Sequence, residues 1–217
     1  MSIPLLLGHR GARASRHIPE NTLESFELCL QHGCDGFEFD VRCSSDGHGV
    51  ICHDANTNGM LISDTSAQRL ALPALDDVLQ QFANRAYLDI ELKVAGVERQ
   101  MLAALHEFPP QKGYVVSSFL PSVLTTIHGI DAQIPLGLLC ESRGQLRGWS
   151  EFAGEWIVPR HDLVDEELAA SVNGAGKKIM VWTVNGADRM RLLADWGVDA
   201  IISDETEILG SAEWPKR

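Results

Sequence analysis

The sequence predicts a single (β/α)8 TIM barrel, class α/β. Three observations carry that expectation. Runs rich in β-branched, Leu or aromatic residues alternate with helical patterns along all 217 residues. The core runs number eight. Acids, histidines and cations gather where several of them end. Alternating β and α elements argue for a parallel sheet, and barrel enzymes collect their chemistry at the C-terminal ends of strands. An open doubly wound sheet is the competing architecture, but no G-x-G-x-x-G turn follows any strand. No low-complexity linker interrupts the chain, so residues 1–217 read as one domain, with 45% hydrophobic residues to fill its core.

In chain order, residues 5–7 form a buried strand ending at Gly8-His9-Arg10-Gly11. Asn21 is placed to cap the first helix, with Glu24 as a capping-box partner. Leu23, Phe26 and Leu30 give that helix its apolar stripe, and Gly33 ends it. Strands follow at 36–42, 87–93, 114–119, 136–141, 156–158, 179–184 and 199–203, with a further extended segment at 49–53. Helical patterns occupy 75–82, 97–108, 122–130, 143–153, 165–175 and 187–196. Residues 54–72 are polar and irregular, with Asn58-Gly59 as a turn signal, and read as a short cap.

The charged positions have the period of a strand. Glu38 and Asp40 share one face, opposite Phe37, Phe39 and Val41. Asp89, Glu91 and Lys93 share another, opposite Leu88, Ile90 and Leu92. Charges inside apolar strands are costly to bury unless paired or bound to metal. If the two strands are neighbours, Glu38, Asp40 and Glu91 converge and resist ionising together. A hard divalent cation resolves this, and an all-oxygen set suits Mg2+ or Ca2+. The competing account is an ion-pair network to Arg10, Arg42 and Lys93. His9 and His53, both at strand ends, fit a general acid and base. Arg10 and Lys93 beside them suit a phosphate. Together these groups describe phosphodiester cleavage, with no nicotinamide or P-loop fingerprint.

Bulk properties narrow the partners. A formal net charge of -12 argues against nucleic acid. Within that acidic background Arg10, Arg13, Arg16 and His17 crowd one loop, readable as a solvated surface or as a funnel for an anion. Five scattered cysteines without a C-x-x-C pair point to reduced thiols in a cytoplasmic protein. The apolar N-terminal run is too short for a signal peptide or a membrane span. His32, His48, His106 and His128 read as surface residues, and His161 as a lesser candidate near the barrel mouth.

The motifs His9-Arg10-Gly11, Pro19-Glu20-Asn21-Thr22, Glu38-Phe39-Asp40, Asp46-Gly47, His53-Asp54, Glu91-Leu92-Lys93, Ser118-Phe119, Trp182-Thr183-Val184-Asn185 and Ser203-Asp204 occur in order through nearly the whole chain. In this the sequence resembles the glycerophosphodiester phosphodiesterase family of metal-dependent barrels. The resemblance implies that Glu38, Asp40 and Glu91 bind Mg2+, Ca2+ or Mn2+, and that His9 and His53 are the acid–base pair. It implies that Arg10 and Lys93 hold the phosphate and that Trp182 lines the glycerol pocket. By analogy with related cyclising phospholipases, His9 becomes the base and His53 the acid, and the glycerol 2-hydroxyl attacks first. The expected substrate is a small glycerophosphodiester, released as sn-glycerol 3-phosphate and an alcohol. Three departures stand out: the short 54–72 cap, Leu120 where an acid is common, and no proline after Asp204.

Three other readings compete. A Schiff-base aldolase using Lys93 needs a depressed lysine pKa, whereas neighbouring carboxylates keep this lysine charged. A non-catalytic glycerophosphate-binding protein predicts loss of an acid or base, yet all seven matched polar positions are present. A lysophospholipase D-type activity on the same scaffold is the nearest rival, opposed by a mostly polar mouth and no amphipathic membrane helix.

Overall fold

The computed structural model describes residues 3–212 and Trp214. Met1, Ser2 and the remaining C-terminal positions of the expected 1–217 domain lie outside the described residues. The elements run β1 (Leu5–Gly8), α1 (Leu23–Gln31), β2 (Gly36–Cys43), β3 (Gly49–Ile51), β4 (Asn56–Thr57), β5 (Met60–Leu61), α2 (Ala67–Leu70), α3 (Leu75–Phe82), β6 (Tyr87–Leu92), α4 (Glu98–Glu107), β7 (Tyr114–Ser118), α5 (Pro121–Ile130), β8 (Leu136–Cys140), α6 (Arg143–Leu146), β9 (Trp156–Pro159), α7 (Glu166–Gly174), β10 (Lys178–Val181), α8 (Ala187–Asp195), β11 (Ala200–Ser203) and α9 (Thr206–Ser211).

The main sheet is ordered β1-β11-β10-β9-β8-β7-β6-β2, and a direct β1–β2 pairing closes it into a barrel of eight parallel strands. The strand β3 is the exception. It pairs antiparallel with the end of β2, Val41 against Ile51, and so returns the chain to the rim where His53 follows. Residues 54–72 are more ordered than their polarity suggests. They form the β4–β5 hairpin, a 3-10 turn and α2, over a small cluster of Val50, Ile62 and Leu70. The 143–153 helical pattern is realised only as the single-turn α6 and a 3-10 turn at Trp149–Glu151. The strand expected to reach 184 stops at Val181, after which Trp182 makes one isolated bridge to Arg160. No helix among the described residues is long and apolar enough to cross a membrane.

Strand alternation splits the core in two. Inside the barrel, Leu7, Val115, Val158, Met180 and Ile202 fill the lower layers. Outside it, Phe37 and Phe39 of β2 pack against the helices. Phe37 stacks on Phe26 of α1 with centroids 4.2 Å apart and meets the edge of Phe82 of α3 at 5.1 Å. These rings fix the rotation of β2 about its own axis, and with it the inward direction of Glu38 and Asp40. Phe37→Ala is therefore expected to lower unfolding free energy by about 3–5 kcal/mol, read as a shift in urea midpoint with an unchanged slope.

Candidate active site

The parallel register of β2 and β6 sets Glu38 beside Asp89 and Asp40 beside Glu91. One carboxylate oxygen from each of Glu38, Asp40 and Glu91 lies within 4.8 Å of the others, and all three residues are buried. Lys93 sits just past β6 with its Nζ 2.6 Å from Glu91 Oε1 and 3.2 Å from Asp40 Oδ1. Arg10 Nε lies 3.2 Å from Asp40 Oδ2. Arg42, the third counter-ion of the ion-pair account, is engaged elsewhere: its Nε and Nη2 donate to the His53 carbonyl at 2.8 and 2.6 Å. Two cations thus face three carboxylates, with Asp89 a layer deeper.

The imbalance is visible in the titration behaviour. Burial, then the neighbouring Asp40 and Glu91, push Glu38 well above the usual carboxyl range. Burial and Asp40 raise Glu91 to about 8 although Lys93 opposes them. Asp40 is held below the usual range: burial acts upward, but Lys93, Arg10 and Asn21 outweigh it. Glu38 Oε1, Asp40 Oδ1 and Glu91 Oε1 are buried without a directed hydrogen-bond donor, Lys93 approaching the last two off line. Three convergent hard oxygens with unused lone pairs and surplus negative charge fit a hard divalent cation.

His9 leaves β1 with its Nδ1 2.7 Å from Asp204 Oδ1, just beyond β11, while its Nε2 lies 3.9 Å from Glu38 Oε2. One ring nitrogen is clamped and the other faces the carboxylates. Asp204 also accepts from Arg13 Nη1 at 3.0 Å and Asn185 Nδ2 at 2.8 Å. Burial acts to raise its pKa, but hydrogen bonds from His9, Asn185 and Arg13 hold it well below the usual range. His53 is half-exposed just beyond β3, which pairs with the end of β2, and its Nδ1 lies 2.9 Å from Asp54 Oδ1.

The loop after β1 is sharply bent. Arg10 has φ 52, a left-handed conformation costing about 1–2 kcal/mol for an L-residue. Gly11 follows at φ 80, where a Cβ would meet Ser25 Oγ at 2.4 Å. The bend persists because the Arg10 N–H donates to Glu38 Oε2 at 2.9 Å and its carbonyl accepts from the Asn21 N–H at 3.0 Å. Asn21 is not the helix cap. Thr22 is, accepting from the Ser25 N–H. Asn21 instead has φ 58, and its side chain embraces Asp40, donating to Oδ2 at 2.8 Å and accepting the Asp40 N–H at 3.3 Å.

These groups surround a cavity of about 340 Å3. Seven of the eight residues singled out from the sequence line it; the eighth, Asp40, lies behind its wall. Trp182 donates its Nε1–H to the Val158 carbonyl at 2.9 Å, and Phe119 meets it edge-on at 5.5 Å. Phe119 also lies 5.7 Å from Lys93 Nζ. The sequence reading did not single out Asp204, Asn185 or Phe119 and gave Asn21 only a capping role, although each belongs to a quoted motif. The basic loop makes no funnel over the cavity. Arg13 is paired with Glu20 and Asp204, and Arg16 and His17 line a separate depression.

Comparison with known proteins gives a consistent family. The model of the glycerophosphoryl diester phosphodiesterase family matches residues 9–86 and 63–208. A glycerophosphodiester phosphodiesterase of Caldanaerobacter subterraneus is 27% identical, with 94% of this chain and 96% of that protein covered. A phosphodiesterase of Oleispira antarctica, solved with its product sn-glycerol 3-phosphate, superposes with TM-score 0.83 at 25% identity over 97% of this chain and 96% of that one. The glycerophosphodiester phosphodiesterase of Thermotoga maritima shares the fold, with TM-score 0.84 at 24% identity over 96% and 97% of the two chains.

The charge surplus generates a stability expectation. A carboxyl whose folded pKa is raised binds more protons folded than unfolded, so stability falls as pH rises above the unfolded value, about 4.3 for Glu. Glu38→Gln keeps an oxygen for the Arg10 N–H and removes that penalty. In excess chelator its melting temperature should exceed the parent's at pH 8, with a much smaller difference at pH 4. An equal or lower value at pH 8 would show that Glu38 carries no electrostatic strain.

Proposed function

The chain belongs to the glycerophosphoryl diester phosphodiesterase family, and from that premise we propose that it hydrolyses glycerophosphodiesters with a divalent cation held by Glu38, Asp40 and Glu91 and with His9 and His53 as its acid–base pair. The observation that carries this is the cluster of three buried carboxylates with unpartnered oxygens, two of which, Glu38 and Glu91, line one cavity with His9 and His53. When bound, a cation of the Mg2+, Ca2+ or Mn2+ kind would supply Lewis-acid stabilisation of charge developing on the phosphoryl oxygens.

The protein's own groups do the rest. Arg10 and Lys93 orient the phosphate and offset its negative charge. Asp204 holds His9 through Nδ1, so neutral His9 keeps a lone pair on Nε2. His9 takes the proton of the glycerol 2-hydroxyl as its oxygen bonds to phosphorus. The phosphorus–alcohol oxygen bond breaks, and His53 protonates the departing alcohol. The two histidines then exchange roles while water opens the cyclic phosphate to glycerol 3-phosphate. The Phe119–Trp182 wall encloses the glycerol half, while the alcohol leaves on the His53 side beneath the short cap. The ordered motifs and the intact set of acids, bases and cations also favour an active enzyme over a binding protein.

The direct test is release of sn-glycerol 3-phosphate from glycerophosphocholine and its ethanolamine and glycerol counterparts. Exhaustive chelation should abolish it, and Mg2+, Ca2+ or Mn2+ should restore it; full activity after chelation excludes the cation role. His9→Ala and His53→Ala should each lower turnover by about a hundredfold or more, and the double variant by less than the product. Asp204→Asn should lower kcat with little change in KM, because it disturbs the ring and leaves the phosphate site in place.

The short cap generates a separate expectation about specificity. Among the described residues of segment 54–72, none lines the cavity. Changing the alcohol should therefore move kcat/KM only on the order of tenfold. Replacing glycerol by ethylene glycol should hurt much more: the adjacent hydroxyl that attacks is kept, but the far hydroxymethyl group is lost and a site built for its hydroxyl is left unpaired. Sharp choice among alcohols with indifference to the glycerol half would reverse the assignment of the two ends of the cavity.

A further inference from the structure

Beneath the carboxylate cluster, the cavity holds a further acid that the chemistry above leaves unused. Asp89 is fully buried yet lines the cavity, as does Ser117 beside it. Ser117 Oγ donates to Asp89 Oδ1 at 2.6 Å, while Asp89 Oδ2 is buried without a hydrogen-bond partner among the described residues. Leaving such an oxygen bare costs more than an ordinary hydrogen bond returns, so a bare one at a cavity wall calls for a polar guest. We propose that Asp89 is a specificity-determining residue, its Oδ2 pairing with the hydroxyl on the far carbon of the glycerol half, the 1-hydroxyl of sn-glycerol 3-phosphate. The proposal rests on the hydrolytic reading above and names the group that reads the end of the glycerol.

Three observations choose this partner. The first is depth. Asp89 precedes Glu91 by two residues on β6, and Ser117 precedes Phe119 by two on β7, which sets each about 6.6 Å further down its strand. The pair therefore lies below the layer that holds the phosphate and below the aromatic wall assigned to glycerol. A glycerol whose phosphate and 2-hydroxyl stay in the upper layer extends its remaining carbon toward this floor. The second is the lack of another reader. Trp182 spends its Nε1–H on the Val158 carbonyl, and Phe119, Leu139 and Ile202 of the lining carry no polar side-chain atom. Glu141 also lines the cavity but is exposed at its mouth, where its carboxylate meets bulk water and gains little from a hydroxyl. The third is separation from the cation cluster: among the described residues, the oxygens converging within 4.8 Å are those of Glu38, Asp40 and Glu91, without Asp89. A hydroxyl both donates and accepts, so the pairing holds whichever partner supplies the hydrogen.

Propane-1,2-diol analogues isolate the group, because they keep the phosphate and the attacking hydroxyl and replace only the far hydroxyl by hydrogen. The first readout is kcat/KM for glycerophosphocholine divided by kcat/KM for 2-hydroxypropyl phosphocholine. The second is calorimetric affinity for sn-glycerol 3-phosphate divided by that for propane-1,2-diol 1-phosphate, with and without Ca2+. Both ratios should be about tenfold to a hundredfold in the parent and fall to about one in Asp89→Ala. Asp89→Asn, whose amide still bonds a hydroxyl, should keep intermediate ratios. Ser117→Ala unfastens Asp89 Oδ1 and should lower both ratios in part, a second variant should Asp89→Ala perturb folding. Parent ratios of one, or ratios that Asp89→Ala and Ser117→Ala leave intact, would overturn the assignment while glycerophosphocholine hydrolysis stood. So would ratios lost in Glu141→Ala instead, or a loss of Ca2+ affinity in Asp89→Ala with the ratios unchanged. Failure to hydrolyse glycerophosphocholine with any of the three cations, alongside an affinity ratio that Asp89→Ala removes, would sustain the role of Asp89 and overturn the hydrolytic reading instead.

Discussion

Everything at the barrel mouth depends on one register: β2 lies against β6 with Asp40 opposite Glu91 and Glu38 opposite Asp89. Parallel pairing puts like charges side by side in a place with little water. The fold tolerates it because the other face of the same strands carries Phe37, Phe39, Leu88 and Ile90, all fully buried. Slipping the register by one residue would put those rings into the cavity and the carboxylates among the helices. Apolar packing outside the barrel thus holds an electrostatically unfavourable cluster inside it. Strain of this kind at a site is what a cation-binding role requires, since a cluster already satisfied by protein cations would have little affinity left over.

The polar surroundings act to limit, rather than cancel, that strain. Arg10 and Lys93 together keep Asp40 ionised, while Glu38 resists charge and so does Glu91, although Lys93 lies closest to it. Asn21 clamps Asp40 with both ends of its amide. The contorted backbone at Arg10 and Asn21 is part of the same device, for it lets one short loop deliver a guanidinium, a backbone N–H and an amide to two carboxylates. Of the four non-glycine residues with positive φ among the described residues, two, Arg10 and Asn21, lie at these charges, and the other two, Asn58 and Ala71, lie in the cap segment.

Much of this was legible in the chain because strands have a period of two. Alternation alone separated Glu38 and Asp40 from their phenylalanine neighbours and placed Glu91 with Lys93. Strand ends drew attention to His9 and His53. What sequence could not show was which end meets which. Asp204 serves His9 from the adjacent strand β11, which becomes its neighbour only because the barrel closes, and no local pattern announces a partner 195 positions away. Asn21 looked like a cap because Asn is a common cap, but a neighbouring Thr took that place and freed it for Asp40. The 143–153 pattern overstated a helix: the α-helical turn ends at Leu146, and after Gly148 the chain makes only a 3-10 turn before Phe152 becomes extended.

The pairing of His9 with Asp204 makes the site a report on its own completion. The first strand bears the proposed base and the last strand's end bears the carboxylate that aims it, so they meet only when β11 docks against β1 and the ring is shut. A growing chain reaches Asp204 only after the other barrel strands among the described residues have been made. Long-range closure is slow compared with local helix formation, and partly closed forms have an unaimed histidine. The completed ring and the oriented histidine are therefore gained together: a chain that lacked β11 would leave His9 without its carboxylate partner even where most of the other secondary structure survived.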